Sequence, residues 1–348
     1  MVDVAKAAGV APSTVSYVIT GKRSISAETR RQVERSVRDL GYHPHAGARA
    51  LSSSRTNVLA LVVPMYAGHN VAVVMQFVSS VATAARAHDY DLLLLTKDEG
   101  ADGLRRVTSS AIVDAVIVMD IESADPRIPV LRSLDRPAVL IGAPDQVTGP
   151  TGLTCVDLDF VAAGACCVNH LADLGHRALA LVGHAPAVYQ RGSSYAGRFL
   201  RGFTEAAQAR GVRARSRACG LSYDDVRACL DDLFTKDPKV TGIVVQNESV
   251  LPSVMSDLRQ RGRRVPEDLS VIAVCPESMA ENYAVALTTM AIPATELGEL
   301  AVEMTIRQLD HFNQAKPRAK MKAPLAPETR LLSPQLVQRD STARPPKT

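Results

Sequence analysis

From Val58 onward, the chain alternates short apolar runs with longer stretches in which apolar residues have helical spacing. The runs are apolar throughout, which is typical of strands buried on both faces of a parallel sheet. We predict strands at 58–63, 91–95, 115–119, 138–141, 178–182, 242–245 and 270–274. We predict helices at 73–88, 103–110, 161–174, 198–210, 223–234 and 250–261. Residues 57–340 are too many for one such sheet, so the pattern indicates two α/β lobes.

The first 56 residues differ from the rest of the chain in charge. They hold nine Lys and Arg against four Asp and Glu, whereas the remaining residues hold 31 basic and 32 acidic side chains. The formal net charge of +4 therefore has its whole excess in this first sixth of the chain. A polyanion is the natural partner of such a segment, and a solvated basic face is the alternative.

Three short helices are predicted in this basic segment. The first, at 3–8, stops at Gly9, and the second begins at Pro12, where the missing N–H costs nothing. The third begins after Ser26, which is a good N-cap residue. Short helices joined by a tight turn form a helix-turn-helix unit, and its second helix enters the major groove of DNA.

The next segment, at 45–56, is predicted to be a hinge or linker. It consists of small residues in a helical pattern, with Leu51 as its one large apolar side chain. A helix this short is not stable alone in water. If the segment folds on DNA, two copies would insert their leucines into the minor groove. A flexible linker is the alternative.

The stretch VDVAKAAGVAPSTVSYVITGKRSISAETRRQVERSVRDLGYHPHAGARALSSSRTN, at 2–57, resembles the headpiece and hinge of the lac/galactose repressor (LacI/GalR) family. The resemblance rests on AGV-x-x-STVS, ETR, GY-x-P and AR-x-L. It implies a DNA-binding headpiece at 1–44, with Tyr17 where most members carry Arg, so the operator sequence stays open. The predicted DNA contacts are Pro12, Ser13, Thr14, Ser16, Tyr17, Lys22, Arg23, Thr29, His45, Ala48, Arg49 and Leu51.

Residues 57–340 resemble, more weakly, the periplasmic-binding-protein-like core of that family. The best matches are VDLDFVAAGACCVNHLADLGHRALALVG and RGRRVPEDLSVIAV. The family topology implies a first lobe at 57–156 and 288–320, a second at 157–287 and 321–340, and a flexible tail at 341–348. The implied function is a repressor that binds a palindromic DNA operator as a homodimer, under the control of a small-molecule effector. A tetramer is the alternative assembly.

The effector pocket is expected at the carboxyl ends of the parallel strands. Asn247 and Glu248 match an Asn-Asp pair of the family, whose carboxylate usually accepts hydrogen bonds from sugar hydroxyls, and Arg198 roughly matches its sugar-binding arginine. Val71-Ala72 stands where an aromatic pair is common, so a sugar and another metabolite are both open as effectors. The predicted effector contacts are Tyr66, His69, Asn70, Asp120, Tyr189, Arg198, Asn247, Glu248 and Cys275.

Other classes of protein have less support from the sequence. A solute-binding transport protein would have two lobes, but we expect no signal peptide here, and the basic headpiece does not fit that class. An enzyme would need a catalytic motif, and no phosphate loop, GxSxG or HExxH occurs. The six cysteines lack CxxC spacing, so we expect reduced thiols in a cytoplasmic protein without metal or cofactor. No apolar run approaches the roughly 18–20 residues that span a bilayer.

Overall fold

The computed structural model describes residues 1–20, 23–42, 55–66, 70–96, 99–110, 112–145, 151–315 and 325–346. Its strands are β1 (Val58–Val62), β2 (Asp91–Leu95), β3 (Ala115–Val118), β4 (Ala138–Ile141), β5 (Thr154–Leu158), β6 (Ala178–Gly183), β7 (Arg213–Ala218), β8 (Gly242–Val245), β9 (Ser270–Cys275), β10 (Thr288–Ala291), β11 (Thr329–Leu332) and β12 (Leu336–Val337).

The helices within these ranges are α1 (Val2–Ala7), α2 (Pro12–Thr20), α3 (Ala27–Asp39), α4 (Val71–Ala87), α5 (Gly100–Ser109), α6 (Arg127–Arg132), α7 (Phe160–Leu174), α8 (Pro186–Arg191), α9 (Ser194–Ala209), α10 (Tyr223–Lys236), α11 (Leu251–Gln260), α12 (Glu277–Ala280) and α13 (Ala294–Ala315). A 3-10 turn at Glu248–Val250 precedes α11. Among these helices, none has both the length and the apolar composition that a membrane span requires.

Helices α1 to α3 form a small domain with its own apolar core. Gly9 makes the turn between α1 and α2 with φ +59°, a left-handed conformation that glycine adopts without strain. Ser26 caps α3 as predicted, because its hydroxyl accepts a hydrogen bond from the backbone N–H of Thr29 at 3.2 Å. The buried side chains of this core are Val4, Ala5, Ala8, Val15, Val18 and Val33.

The rest of the chain forms two six-stranded sheets, which confirms the predicted two-lobed α/β fold. The first lobe has the strand order β11-β5-β4-β3-β1-β2, and all its neighbours pair in parallel. The second lobe has the order β12-β10-β9-β8-β6-β7, with β12 as its one antiparallel strand. Helices cover both faces of each sheet, as a parallel sheet requires.

The C-terminal crossovers differ from the predicted division into lobes. Of the segment 288–320, which was expected in the first lobe, strand β10 pairs instead with β9 of the second, whereas α13 packs on the first lobe as expected. Of the segment 321–340, which was expected in the second lobe, strand β11 pairs instead with β5 of the first, whereas β12 pairs in the second as expected. Strand β5 also keeps 157–158 in the first lobe. The chain therefore crosses between lobes after β5, after β10 and after β11, and the strand that follows each return is added at the edge of a sheet already formed.

Residues 341–346 are packed against the second lobe, which corrects the expectation of a flexible tail. Ser341 is fully buried, and its hydroxyl donates to the carbonyl of Val271 at 2.6 Å and accepts from the N–H of Thr288 at 2.7 Å. The ring of His176 contacts the carbonyl of Ala343 at 2.9 Å and the hydroxyl of Thr241 at 2.7 Å. These hydrogen bonds satisfy polar groups that would otherwise be costly to bury.

Candidate DNA-binding headpiece and effector cleft

Helix α2 divides its side chains between the headpiece core and the surface. Val15 and Val18 are buried, whereas Pro12 and Ser13 at the start of the helix are exposed. Thr14, Ser16 and Tyr17 are half-buried at the rim of this surface. The first turn of α2 therefore projects away from the core, which is the arrangement a recognition helix needs to reach base edges.

Tyr17 lies beside a basic side chain that the sequence pattern did not link to it. The guanidinium carbon of Arg23 lies 5.8 Å from the centroid of the Tyr17 ring, within the range of a cation–π contact. Thr29 is part of the α3 cap, with its hydroxyl 2.8 Å from that of Ser26. The other predicted DNA contacts, Lys22, His45, Ala48, Arg49 and Leu51, lie outside the described residues.

The effector cleft is a cavity of about 180 Å³ between the two lobes. Its walls include the residues that directly follow β1 and β3 in the first lobe and β6 and β8 in the second. The order of strands reverses between β1 and β3 in the first sheet and between β6 and β8 in the second. Ligands of doubly wound sheets bind at such points. Of the predicted effector contacts, the cavity is lined by Asn70, Asp120, Arg198, Asn247 and Glu248.

An ion pair between Arg198 and Asp157 connects the lobes at the floor of the cleft. Arg198 is on α9 of the second lobe and Asp157 on β5 of the first, and their side chains are 5% and 6% exposed. Asp157 also accepts hydrogen bonds from the N–H of Ala143 at 2.8 Å and of Leu158 at 2.9 Å. Burial raises the pKa of Asp157, and the positive charge of Arg198 opposes that rise. Asp157 is not among the predicted effector contacts, because strand β5 was not predicted from the sequence.

A second ion pair, also missed from the sequence, joins the lobes near the cavity. Arg191, at the end of α8, contacts the carboxylate of Asp120 and the hydroxyl of Ser193, each at 3.0 Å. Its guanidinium carbon lies 3.8 Å from the centroid of the Tyr66 ring. Tyr66 and Asp120 belong to the first lobe, so relative movement of the lobes would break these contacts.

Glu248 differs from Asp157 and Asp120, the other acidic residues of the cleft, which are paired with arginines. Among the described residues, the structure shows no cationic partner for Glu248. It follows β8 and lines the cavity. Burial raises its pKa to about 7. Its negative charge also contributes to the raised pKa of the neighbouring Tyr195 hydroxyl, which burial mainly causes. A ligand that donates hydrogen bonds or carries positive charge would supply the partner that this carboxylate lacks.

Three predicted effector contacts do not line the described cavity. Tyr66 stacks on Arg191 instead. Tyr189 lies behind the wall, where its hydroxyl donates to Gln246 at 3.1 Å and accepts from the N–H of His184. Cys275 is fully buried at the end of β9, and burial together with the charge of Glu248 raises its pKa to about 12. His69 lies outside the described residues.

Two family profiles match the two parts of the chain. Residues 1–45 match the bacterial regulatory proteins of the lacI family, and residues 168–342 match the periplasmic binding protein-like domain. The chain is also 30% identical over 306 residues to the HTH-type transcriptional regulator AglR of Rhizobium meliloti (strain 1021), a match that covers 82% of this chain and 81% of the relative. The chain belongs to the lacI family.

Solved structures share the fold of this lacI-family regulator over nearly its whole length. The lac repressor dimer bound to operator and the anti-inducer ONPF has a TM-score of 0.79 over 98% of both chains, at 22% identity. A complex of the transcriptional regulator CelR with cellobiose has a TM-score of 0.67 over 97% of this chain and 98% of the other, at 24% identity. The chain is thus a DNA-binding transcriptional regulator with a headpiece and a two-lobed core.

Replacing Glu248 with Gln in this lacI-family protein is expected to raise its stability at pH 8 by about 1–3 kcal/mol. The folded pKa of about 7 lies above the value of 4.5 for an exposed glutamate, so the wild type loses stability as the pH rises from about 5 to 7. Thermal unfolding of both proteins at pH 5 and pH 8 measures the effect. Glu205→Gln, on the exposed face of α9, is the control. Equal stabilities at pH 8 would contradict the prediction.

Proposed function

We propose that the protein is a dimeric repressor whose affinity for a palindromic operator is controlled by a small molecule in the effector cleft. The observation that carries its regulatory part is that two ion pairs, Arg198–Asp157 and Arg191–Asp120, join the lobes around the cavity. The relative AglR is a transcriptional regulator, which favours regulation of transcription over catalysis as the function of this chain. We expect the protein to act in the cytoplasm, beside the DNA that it binds.

The mechanism follows from the position of the cleft. A ligand between the lobes contacts both, so it stabilises one closure angle more than the others. The first lobe follows directly on the headpiece and hinge, and a change in closure within a dimer alters the spacing of the two headpieces. Such coupling between two sites is typically worth about 1–3 kcal/mol. The effector therefore changes operator affinity without contacting DNA.

We propose a sugar, or a polar metabolite of similar size, as the effector. Phe160 and Tyr195 both line the cavity, with ring centroids 5.6 Å apart, and provide an aromatic surface for the C–H face of a ring. Glu248 and Arg198 provide the polar groups of the same wall. Asn70 and Asn247 have their side-chain oxygens committed to capping α4 and the 3-10 turn, which leaves their amide NH₂ groups as donors.

The dimer is proposed to form along the first lobe, where α4 exposes apolar side chains. Val71 and Met75, one helical turn apart, are 57% and 46% exposed. Met75→Lys is expected to convert dimers to monomers and to weaken operator binding tenfold or more, because the two half-sites would no longer be bound together. Sedimentation and gel-shift titration measure both effects, with Glu205→Lys on the second lobe as the control. An unchanged dimer would place the interface elsewhere.

Tyr17 is expected to determine part of the operator sequence. Tyr17→Ala should change the preferred base at one position of each half-site and weaken binding by about 1–3 kcal/mol. Tyr17→Phe keeps the ring against Arg23 but removes the hydroxyl. This variant therefore shows whether Tyr17 acts through a hydrogen bond from its hydroxyl to a base or by positioning Arg23. Selection of binding sites from randomised duplexes measures the preference. The same consensus for wild type and Tyr17→Ala would contradict this role.

The proposed function is tested by operator binding with and without effector. A duplex selected by the full-length protein should bind with an affinity that falls at least tenfold between 50 and 200 mM salt, because basic residues displace counterions from several phosphates. A thermal-shift screen of sugars and other metabolites should find a ligand that raises Tm and changes operator affinity. Failure to select any duplex at low salt would refute the proposal. A ligand that stabilises the core without changing operator affinity would refute its regulatory part.

A further inference from the structure

We propose that Asp114 is a positioning residue for operator binding, which sets the distance between the two half-sites that a dimer recognises. This inference rests on the proposed function and adds to it a residue of the first lobe, outside the headpiece. Asp114 directly precedes β3 and is only 5% exposed. Its side chain contacts Thr56 and Asn57, the two residues at which the predicted hinge, 45–56, meets the core.

The carboxylate of Asp114 accepts hydrogen bonds from three donors at the start of the first lobe. The backbone N–H of Thr56 donates to it at 2.8 Å, the hydroxyl of Thr56 at 3.0 Å and the backbone N–H of Asn57 at 2.8 Å. Hydrogen bonds to a charged acceptor are roughly twice as strong as those between neutral groups. Asn57 and Asp114 are 57 residues apart in the chain, so this contact holds the end of the hinge against a distant part of the lobe.

These hydrogen bonds fix the direction in which the chain enters β1. Asn57 has φ +56°, a left-handed conformation that asparagine adopts more readily than most residues. The hydroxyl of Thr56 also accepts from the N–H of Val58 at 3.3 Å. The sheet holds the backbone only from this point on, where the carbonyl of Asn57 accepts from the N–H of Asp91 and that of Val58 from the N–H of Asp114, each at 2.8 Å. The three donors before it bind the side chain of Asp114.

Strand β3 connects this contact to the effector cleft. It pairs with β1 on one side and β4 on the other, and its four residues are buried. Asp114 directly precedes β3, and Asp120, which lines the cleft and pairs with Arg191, follows two residues after its end. The base of the hinge and this part of the cleft wall are therefore attached to the same central strand, so a movement of the first lobe carries both.

The direction of the chain at Thr56 and Asn57 determines where each headpiece lies in a dimer. The two copies of this point are related by the two-fold axis, so a fixed direction in each copy gives a fixed distance between the headpieces. Without the carboxylate of Asp114, the donors of Thr56 and Asn57 would bind water, and the chain would enter β1 from a range of directions. The dimer would then accept half-sites at more than one spacing.

The test uses the full-length protein, the operator duplex that it selects, and two altered duplexes with one base pair added or removed at the centre. One base pair shifts a half-site by about 3.4 Å along the DNA and rotates it by about 35°. We expect the wild type to bind the original duplex about tenfold or more tightly than either altered one. Asp114→Ala should reduce this spacing ratio to about threefold or less, measured by gel-shift titration well below the Tm of the variant. Asp114→Asn keeps one acceptor oxygen and should give an intermediate ratio.

Two further variants distinguish positioning from a general loss of stability. Val139→Ala, at a fully buried position of β4, should lower Tm and leave the spacing ratio unchanged. Thr56→Val removes only the hydroxyl donor, so it should lower the ratio even if Asp114→Ala does not fold.

The inference is overturned if the folded variants of Asp114 and Thr56 keep the wild-type spacing ratio, or if Val139→Ala lowers the ratio as much as they do. It is also overturned if the wild type binds all three duplexes equally well. Each of these results would leave the proposed function intact, whereas a wild type that selects no duplex at all would refute the proposed function and this inference with it.

Discussion

Replacing Asp157 with Ala is expected to destabilise the two-lobed core by about 3–5 kcal/mol. The substitution leaves the guanidinium of Arg198 buried, and within the described part of the chain its one remaining hydrogen-bond acceptor is the hydroxyl of Ser194, 3.1 Å from its Nε. It also removes the acceptor for the N–H groups of Ala143 and Leu158. A buried charge without its counterion costs far more than the intact pair contributes.

The double variant Asp157→Asn/Arg198→Met distinguishes two causes of lost stability, namely the loss of the ion pair and the presence of an unpaired buried charge. It removes both charges and retains an acceptor for the backbone N–H groups. We expect it to recover most of the stability that Asp157→Ala loses, because replacing both members of a buried pair is often close to neutral. Urea unfolding of the core measures this, with the midpoint as the readout because two lobes need not unfold in a two-state manner.

The same double variant tests the link between the lobes. It should retain operator binding, because the headpiece has its own core, and lose the response to effector. Arg198→Ala and Glu248→Ala are expected to lose the response in the same way. A double variant as unstable as Asp157→Ala, or one with a normal effector response, would show that the ion pair has neither role.

Replacing Gly202 with Ala is expected to cost about 3 kcal/mol and to distort the effector cleft. Gly202 is on α9, where α9 packs against α7, and a Cβ there would lie 1.9 Å from the carbonyl oxygen of Val161. That contact can be relieved only by moving one helix backbone away from the other, and overpacking of this kind typically costs about 1–3 kcal/mol. Helix α9 also carries Tyr195 and Arg198 into the cleft, so its displacement should weaken effector binding.

Gly197, on the same helix, provides a matched control. It is exposed, and a Cβ there meets no atom within 4 Å. Gly197→Ala should therefore stabilise the protein by about 0.5–1 kcal/mol, because alanine loses less conformational entropy in a helix. Thermal unfolding of the two variants should give shifts of opposite sign. A neutral or stabilising Gly202→Ala would show that α7 and α9 can separate without cost.

Elements with a strong local pattern could be predicted from the sequence with nearly exact ends. Strand β8 (Gly242–Val245) was predicted at the same residues, and α7 (Phe160–Leu174) within one residue. Strand β7 was missed, because its sequence RARSRA lacks an apolar run. It is an edge strand that pairs only with β6, so its charged side chains stay near solvent.

The candidate site could be predicted in position but only partly in composition. The rule that ligands bind at the carboxyl ends of parallel strands led to Asp120, Asn247 and Glu248, all of which line the cavity. It also led to Tyr189, whose side chain points behind the wall to Gln246. A strand end specifies where the backbone lies, whereas the direction of a side chain depends on which neighbours pack around it.

The sequence by itself determined the helical headpiece, the two α/β lobes and the strand ends that surround the cleft. These follow from apolar spacing, capping and charge, which act between residues close together in the chain. Only the tertiary structure decided that Asp157 would meet Arg198, 41 residues away, and Asp120 would meet Arg191, 71 residues away. Such pairings depend on how packed sheets and helices bring distant segments together. A pattern of neighbouring residues does not predict which distant segments will meet.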